Sequence, residues 1–195
     1  LKPTISCLGL AEMPGESEQI KQLRGLALQA IGTTGDDKEI QKQLSELYEK
    51  NGDNLPPDIL SAALSVLAYC GDENRYNAFH AKYLAAQSPQ EKERYMQALA
   101  QFKQEDLLKR TLSMTLTGEI RSQNAPYLVR NLMLNPWGRK VGWQFVKDNW
   151  SEIRAKFPAL IITRLVEGIT GLIDEQLSLE AEKFFAENPV KEGQK

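Results

Sequence analysis

The sequence contains one histidine, His80, and this scarcity excludes several kinds of active site. A zinc-protease motif of the HExxH type needs two histidines one helical turn apart, and a Ser–His–Asp or Cys–His arrangement needs a histidine base. His80 lies at helical spacing from Tyr76, Phe79 and Tyr83, which is typical of a half-buried histidine that bonds a backbone carbonyl. The sequence therefore predicts no catalytic residue and no metal ligand in this chain.

Cysteine is scarce as well, and long apolar runs are absent. Cys7 and Cys70 form no CxxC pair and lie far apart in sequence, which argues against a disulfide framework. Cys70 ends an apolar run and is predicted to be a small core residue. No apolar segment approaches the roughly 18 to 20 residues that a membrane-spanning helix needs. GxSxG, GxGxxG and GxxxxGK[ST] motifs are also missing, so no hydrolase elbow or nucleotide-binding loop is predicted.

Neither sign of charge dominates. The formal net charge is -2, and lysine and arginine are well mixed among the acidic residues. Because no basic stripe is present, the sequence predicts no nucleic-acid partner. The first residues, 1–4, include neither a starting methionine nor a signal-peptide pattern, and we expect the chain to be an internal piece of a longer protein.

What the sequence has in abundance is helical periodicity. After Glu16, apolar residues recur at spacings of three and four, and segments that alternate apolar and polar residues are absent. Prolines and glycines fall where such helices should start and stop. The sequence predicts ten helices, over residues 17–32, 36–50, 56–70, 72–86, 89–102, 104–116, 124–134, 136–156, 158–171 and 175–187.

Two helix starts carry specific capping signals. Ser88-Pro89-Gln90-Glu91 is a capping box with proline at the first helical position. Asp36, with Glu39 three residues later, is predicted to be the N-cap of its helix.

The predicted helices form a repeat with a period of about 33 to 39 residues, which is in the range of helical solenoids. We expect an all-α fold of stacked antiparallel helix pairs that form a curved α-solenoid, a HEAT/armadillo-like superhelix. An irregular helical bundle is the alternative. In domain terms, the sequence predicts an irregular leader over 1–16, a helical-repeat domain of about five helix pairs over 17–188, and a tail over 189–195.

The C-terminal half holds the residues of most interest. Trp143 and Trp150 lie on one helical stripe and are predicted to be core residues. Arg130 and Arg164 lie on otherwise apolar helices, where an arginine either pairs with a carboxylate or faces a groove. With Tyr127, these two arginines are the candidate substrate-binding residues.

Several segments resemble, in order, the C-terminal helical domain of the gluzincin zinc aminopeptidases. The residues from Asn135 to Trp150 match a pattern close to NPxGRxxxWxFxxxNW in that family. Further segments that resemble the family are Pro14-Gly15-Glu16-Ser17, Leu23-Arg24, Gly35-Asp36, Gly118 to Tyr127, Arg164-Leu165-Val166 and Glu182 to Pro189.

This resemblance implies a non-catalytic domain. In the family, the helical domain covers the catalytic domain, shapes a peptide chamber and contacts the distal part of the substrate. Zinc and its ligands belong to the catalytic domain, so the resemblance implies no cofactor in this chain. The implied partners are the catalytic domain of the same polypeptide and a peptide substrate. The alternative from another class is a free-standing helical-repeat module that binds a protein partner on its concave face.

Overall fold

The computed structural model describes residues 2–190, and every regular element in this part of the chain is helical. The predicted all-α fold is confirmed. In chain order the α-helices are α1 (Lys2–Leu8), α2 (Glu18–Gly32), α3 (Lys38–Asn51), α4 (Pro57–Cys70), α5 (Glu73–Ala85), α6 (Pro89–Leu99), α7 (Glu105–Thr117), α8 (Ala125–Leu134), α9 (Arg139–Lys156), α10 (Ala159–Val166) and α11 (Glu175–Glu187). Short 3-10 turns lie at Gly52–Asn54 and Glu167–Gly171.

Each of the ten predicted helices has a counterpart among α2 to α11. Two differences stand out. The leader, expected to be irregular, contains helix α1. The helix expected over 158–171 ends at Val166 and continues as the 3-10 turn Glu167–Gly171.

The chain divides into two compact units, residues 1–98 and 99–195. The division into leader, repeat domain and tail, and the curved superhelix, stay predictions.

In the first unit, α2 packs directly against α4. Glycines on α2 allow the close approach, because a Cβ atom on Gly25 would lie 2.9 Å from the Asp58 carbonyl oxygen. One on Gly32 would lie 2.6 Å from a methyl group of Val66. Any larger residue at either position would force these helices apart.

A buried arginine ties the leader to α2. Arg24 is completely buried, and its guanidinium donates to the carbonyl oxygens of Leu8 and Gly9, at the end of α1, over 3.2–3.3 Å. It also pairs with the Glu16 carboxylate. The hydrogen bond from Arg24 lowers the pKa of Glu16. The leader is therefore held by an internal ion pair as well as by apolar packing.

Apolar side chains near the start of the first unit remain exposed. Met13, Leu23 and Leu26 are 64%, 43% and 65% exposed. In a helical-repeat architecture, an apolar face is exposed where no neighbouring unit covers it. We predict weak self-association through these residues.

The capping predictions have mixed outcomes. Ser88 caps α6 as predicted, accepting a hydrogen bond from the Glu91 backbone N–H at 3.1 Å. The prediction that Asp36 caps α3 is wrong, because Asp37 accepts from the first-turn N–H groups instead. Asp36 has a positive φ of 46°. Its carboxylate accepts from Lys38 and Gln41, and these bonds lower its pKa to about 2.

The prediction that Cys70 is a core residue is also wrong. It is the last residue of α4, and its thiol is exposed. The residues that precede it, Val66 to Tyr69, are each at most 8% exposed. The side chain that follows the run leaves the buried face because the helix ends there.

In the second unit, α8 is the central helix. It packs against α9, α10 and the 3-10 turn at 167–171, while α7 packs against α9. Leu128, Val129, Leu132 and Met133 of α8 have no exposed surface. Their spacing of one, three and four residues places them on one side of the helix. The remaining side of α8 carries Tyr127 and Arg130.

The loop between α8 and α9 is organised by a buried amide. Asn135 is 5% exposed, and its side-chain nitrogen donates to the carbonyl oxygens of Ala100 and Phe102, both at 2.9 Å. Its side-chain oxygen accepts from the Trp137 backbone N–H at 3.1 Å. Gly138 follows at a point where a Cβ atom would lie 2.3 Å from the Leu132 carbonyl oxygen. The Asn-Pro-x-Gly segment is therefore structural in this chain.

An aromatic cluster joins α9 to α11. Trp143 and Trp150 are 1% and 6% exposed, which confirms their predicted burial. Both rings meet the rings of Phe184 and Phe185, with centroids 5.3–6.0 Å apart. Three of these four contacts are edge-to-face, a geometry that adds to the stabilisation from buried area.

Candidate functional site

The three candidate residues from the sequence lie on two helices that are in contact. Tyr127 and Arg130 belong to α8, and Arg164 belongs to the last turn of α10. Both helices also contact the 3-10 turn that begins at Glu167. The structure brings the side chains of Arg130 and Arg164 together at the Glu167 carboxylate, which sequence reasoning did not identify. We call Tyr127, Arg130, Arg164 and Glu167 the arginine cluster.

A glycine places Glu167 in this position. A Cβ atom on Gly168 would lie 2.4 Å from the Met133 side chain and 3.1 Å from the Arg130 Cα atom. The 3-10 turn can therefore lie against α8 only because residue 168 has no side chain. This contact delivers the preceding residue, Glu167, to the arginine of α8.

Each arginine contacts a different oxygen of Glu167. Arg130 Nε lies 3.2 Å from Oε2, and a terminal nitrogen of Arg164 donates to Oε1 over 2.5 Å. Neither guanidinium makes the bidentate, two-bond contact with this carboxylate that arginine makes with an ideally placed one. One carboxylate is thus shared between two cations.

The contact between Arg130 and Glu167 is close without being a good hydrogen bond. The Nε atom is shielded from solvent, and its N–H has no acceptor in hydrogen-bonding geometry despite the nearby Oε2 atom. Since a hydrogen bond weakens steeply with poor alignment, the attraction here is mainly charge–charge. The other bond of this guanidinium goes to the Asn131 side-chain oxygen at 3.3 Å. Arg130 therefore keeps donor capacity that the protein does not use.

Arg164 is held more firmly by its acid. The hydrogen bond and charge of Glu167 raise the pKa of Arg164, and the Tyr127 hydroxyl adds to the increase. Tyr127 is 40% exposed, so part of its side chain faces solvent. The Arg164 side chain is 53% exposed, so solvent screens this ion pair and its contribution to stability is small.

The charges in the arginine cluster do not cancel. Two guanidinium groups face one carboxylate, which leaves one positive charge among the four side chains. Positively charged forks with free N–H groups bind carboxylates, and a nearby phenol can add a further hydrogen bond. The cluster can therefore hold one carboxylate group of a ligand.

Two further arginines of the C-terminal half, Arg121 and Arg139, take no part in these ion pairs. Arg121 is exposed in the loop before α8. Arg139 is the first residue of α9, and its Nε is buried without a hydrogen-bond acceptor. The signal for Glu167 was present in the sequence, since an acid three residues after Arg164 lies on the same helical face.

The described residues do not fit a zinc site. Within residues 2–190, no group of three His, Cys, Asp or Glu side chains is close enough to hold a metal ion. His80 is half-buried, with its ring 6.2 Å from that of Tyr76 and 6.5 Å from that of Tyr83. We assign no zinc-dependent step to this chain.

We expect the purified chain to hydrolyse no aminoacyl-anilide, with or without added zinc, because the described residues bring no three His, Cys, Asp or Glu side chains together as zinc ligands. The measurement is anilide release with excess zinc, compared with the same preparation of His80→Ala. Turnover that the His80→Ala variant abolishes would contradict the prediction. Turnover that survives in that variant points to a contaminating peptidase.

Comparisons with known proteins confirm the resemblance. A family model described as the ERAP1-like C-terminal domain matches residues 1–195. The chain is 29% identical over 188 residues to Aminopeptidase M1-B of Oryza sativa subsp. japonica, covering 92% of this chain and 21% of that protein. It is 28% identical over 188 residues to Aminopeptidase M1 of Arabidopsis thaliana, covering 92% of this chain and 21% of that protein.

A relative from an animal shows the same extent of similarity. The chain is 28% identical over 184 residues to Aminopeptidase A of Gloydius brevicauda, covering 89% of this chain and 19% of that protein. The chain therefore spans about a fifth of the length of these relatives.

Among the described residues, none of the helices combines the length and the apolar character needed to cross a membrane.

Proposed function

The chain belongs to the ERAP1-like C-terminal domain family, and from this premise we propose that it serves as the non-catalytic C-terminal domain of a zinc aminopeptidase. In this proposal it covers the active site, shapes the peptide chamber and contacts the distal part of the substrate. The observation that carries the proposal is the family match over the whole chain. It is supported by relatives that are named as aminopeptidases and are about five times as long.

The arginine cluster gives this proposal a specific contact. An aminopeptidase acts at the amino end of a peptide, so the distal part of a bound substrate ends in a carboxylate. Arg130 and Arg164, with one unbalanced positive charge between them, bind that carboxylate, and Tyr127 donates a further hydrogen bond. The partners are then the catalytic domain of the same polypeptide and the peptide.

In the complete polypeptide that carries this chain, we expect Arg130→Gln and Arg164→Gln each to raise KM for a nonapeptide with a free C-terminal carboxylate. The expected increase is about 1.4- to fivefold, since contacts between exposed charges contribute about 0.2–1 kcal/mol. An aminoacyl-anilide is too short to span a chamber, so its KM should stay unchanged. Steady-state kinetics with both substrates measures the difference.

The control variant is Arg154→Gln, which removes the same charge from α9, outside the arginine cluster. It should leave KM for both substrates unchanged. Equal KM values for the free acid and the C-terminal amide of the nonapeptide would contradict a role in carboxylate binding. An unchanged nonapeptide KM in both cluster variants would leave the domain an architectural role only. The whole-chain family match favours this function over the free-standing module.

A further inference from the structure

The shared carboxylate of Glu167 is the feature of the arginine cluster that the proposed function leaves unexplained. A surface that only binds carboxylates would gain nothing from an acid of its own, because that acid repels the ligand and occupies donors. Glu167 nevertheless contacts both arginines, one through each oxygen. The 3-10 turn that carries Glu167 can lie against α8 because residue 168 is a glycine and has no side chain.

We infer that Glu167 is a specificity-determining residue that limits the arginine cluster to a single ligand carboxylate, and so selects against peptides with an acidic residue beside the C-terminus. This inference rests on the proposed function, because it assumes that the cluster receives the end of a peptide. It names the favoured class of substrate: peptides whose last residues carry no acidic side chain.

The charge balance supports this selectivity. Two guanidinium groups and Glu167 carry one net positive charge, so one ligand carboxylate brings the cluster to neutrality. A second carboxylate would make it negative. With Glu167 neutralised, the same two arginines could take two carboxylates. The acid therefore determines how many ligand charges the cluster accepts.

The geometry also shows that Glu167 leaves room for one ligand carboxylate. Each oxygen of Glu167 contacts one arginine, so neither guanidinium is held by two bonds to this carboxylate. The side chains of Arg130, Arg164 and Glu167 are 36%, 53% and 41% exposed, so a ligand can approach them from solvent. The unused donors of the two forks remain available to the incoming group.

The test is a comparison of two labelled nonapeptides on the purified chain. They differ only at the residue before the C-terminus, which is glutamine in one peptide and glutamate in the other, and fluorescence anisotropy gives Kd for each. We expect the original chain to bind the glutamine peptide about two- to fivefold more tightly than the glutamate peptide. In Glu167→Gln, both peptides should bind more tightly, and the ratio between them should fall to about one.

Two controls keep the interpretation specific. Glu182→Gln makes the same charge change on an exposed part of α11 and should leave the ratio as in the original chain. Raising the salt concentration to about 0.5 M should reduce the ratio in the original chain, because exposed charges are screened. Circular dichroism of Glu167→Gln checks that the helices are unchanged.

The outcomes separate this inference from the proposed function. An unchanged ratio in Glu167→Gln, or weaker binding of the glutamine peptide, overturns the inference. If the C-terminal amide of the glutamine peptide binds as well as the free acid, the carboxylate-binding role itself fails. Absence of binding by both the original chain and Glu167→Gln overturns the inference together with the carboxylate-binding role.

Discussion

Replacing Trp150 with alanine should lower the free energy of unfolding of the second unit by about 3–5 kcal/mol, the range for deleting a large aromatic side chain from a core. Trp150 is 6% exposed, and its ring packs edge-on against Phe184 and Phe185 at centroid distances of 5.6 and 5.5 Å. The truncation would leave a cavity between α9 and α11, since rings on two helices cannot collapse into the space. The alanine variant loses both the apolar contacts of the Trp150 ring and its edge-on packing against Phe184 and Phe185.

Urea denaturation followed by tryptophan fluorescence measures this effect in the right part of the chain. All three tryptophans lie at positions 137–150, so their emission reports on the 99–195 unit alone. Leu160→Ala is the matched control, because Leu160 is 79% exposed and its truncation should change the free energy of unfolding by less than about 0.5 kcal/mol. A loss below about 1 kcal/mol for Trp150→Ala would show that the ring contributes little to the core.

The helices and the tryptophan core were predictable because their signals are local. A helix start depends on a few neighbouring residues, such as Ser88 with Glu91, and the structure keeps that bond. Burial of Trp143 and Trp150 follows from their position on one stripe of α9. The wrong predictions for Asp36 and Cys70 have a common cause, since both residues lie at or close to the end of a helix. A pattern locates a helix end to within a residue or two, and side-chain exposure changes over that distance.

The arginine cluster shows what sequence alone does not supply. Arg130 and Arg164 were recognisable as unusual residues on apolar helices, and Glu167 lies three residues after Arg164, but the contact of Glu167 with Arg130 was not recognisable. Glu167 reaches Arg130 through packing of the 3-10 turn on α8, and this contact depends on the missing side chain of Gly168. Contacts between elements distant in sequence are set by tertiary packing, so the pairing of charges becomes visible only in the structure. The role of the cluster stays a proposal.

The Asn-Pro-x-Gly segment illustrates the opposite case, in which a recognisable motif has a structural explanation. Asn135 satisfies two carbonyl groups of the loop before α7, and both lie at 2.9 Å from its side-chain nitrogen. Buried carbonyl groups that lose their donors keep the full cost of removal from water. The motif thus fixes the α8–α9 loop to the loop between α6 and α7, and its stability effect can be tested without any ligand.

Asn135→Asp keeps the size of the side chain but should cost about 3–5 kcal/mol in the free energy of unfolding at pH 7. The amide nitrogen that donates to Ala100 and Phe102 becomes an oxygen, so a carboxylate would face two carbonyl oxygens in a site that is 5% exposed in the original protein. An unpaired buried charge and two unsatisfied acceptors each carry a large penalty. The same fluorescence titration measures this loss.

The loss should depend on pH with a definite sign. Burial and the facing carbonyl groups disfavour the charged form, so the pKa of the introduced carboxyl is higher in the folded state than the value of about 3.9 in the unfolded state. Below the unfolded value the carboxyl is neutral in both states and can donate to one carbonyl, and the deficit is smallest. As the pH rises toward the folded pKa, the unfolded state loses its proton first and stability falls, reaching its lowest level above the folded pKa.

Asn135→Ala lacks the charge, so its deficit relative to the original chain should be the same at every pH. A deficit for Asn135→Asp that is equally flat from about pH 4 to pH 8 would mean that the side chain has turned to solvent and that the two carbonyl groups are satisfied in another way.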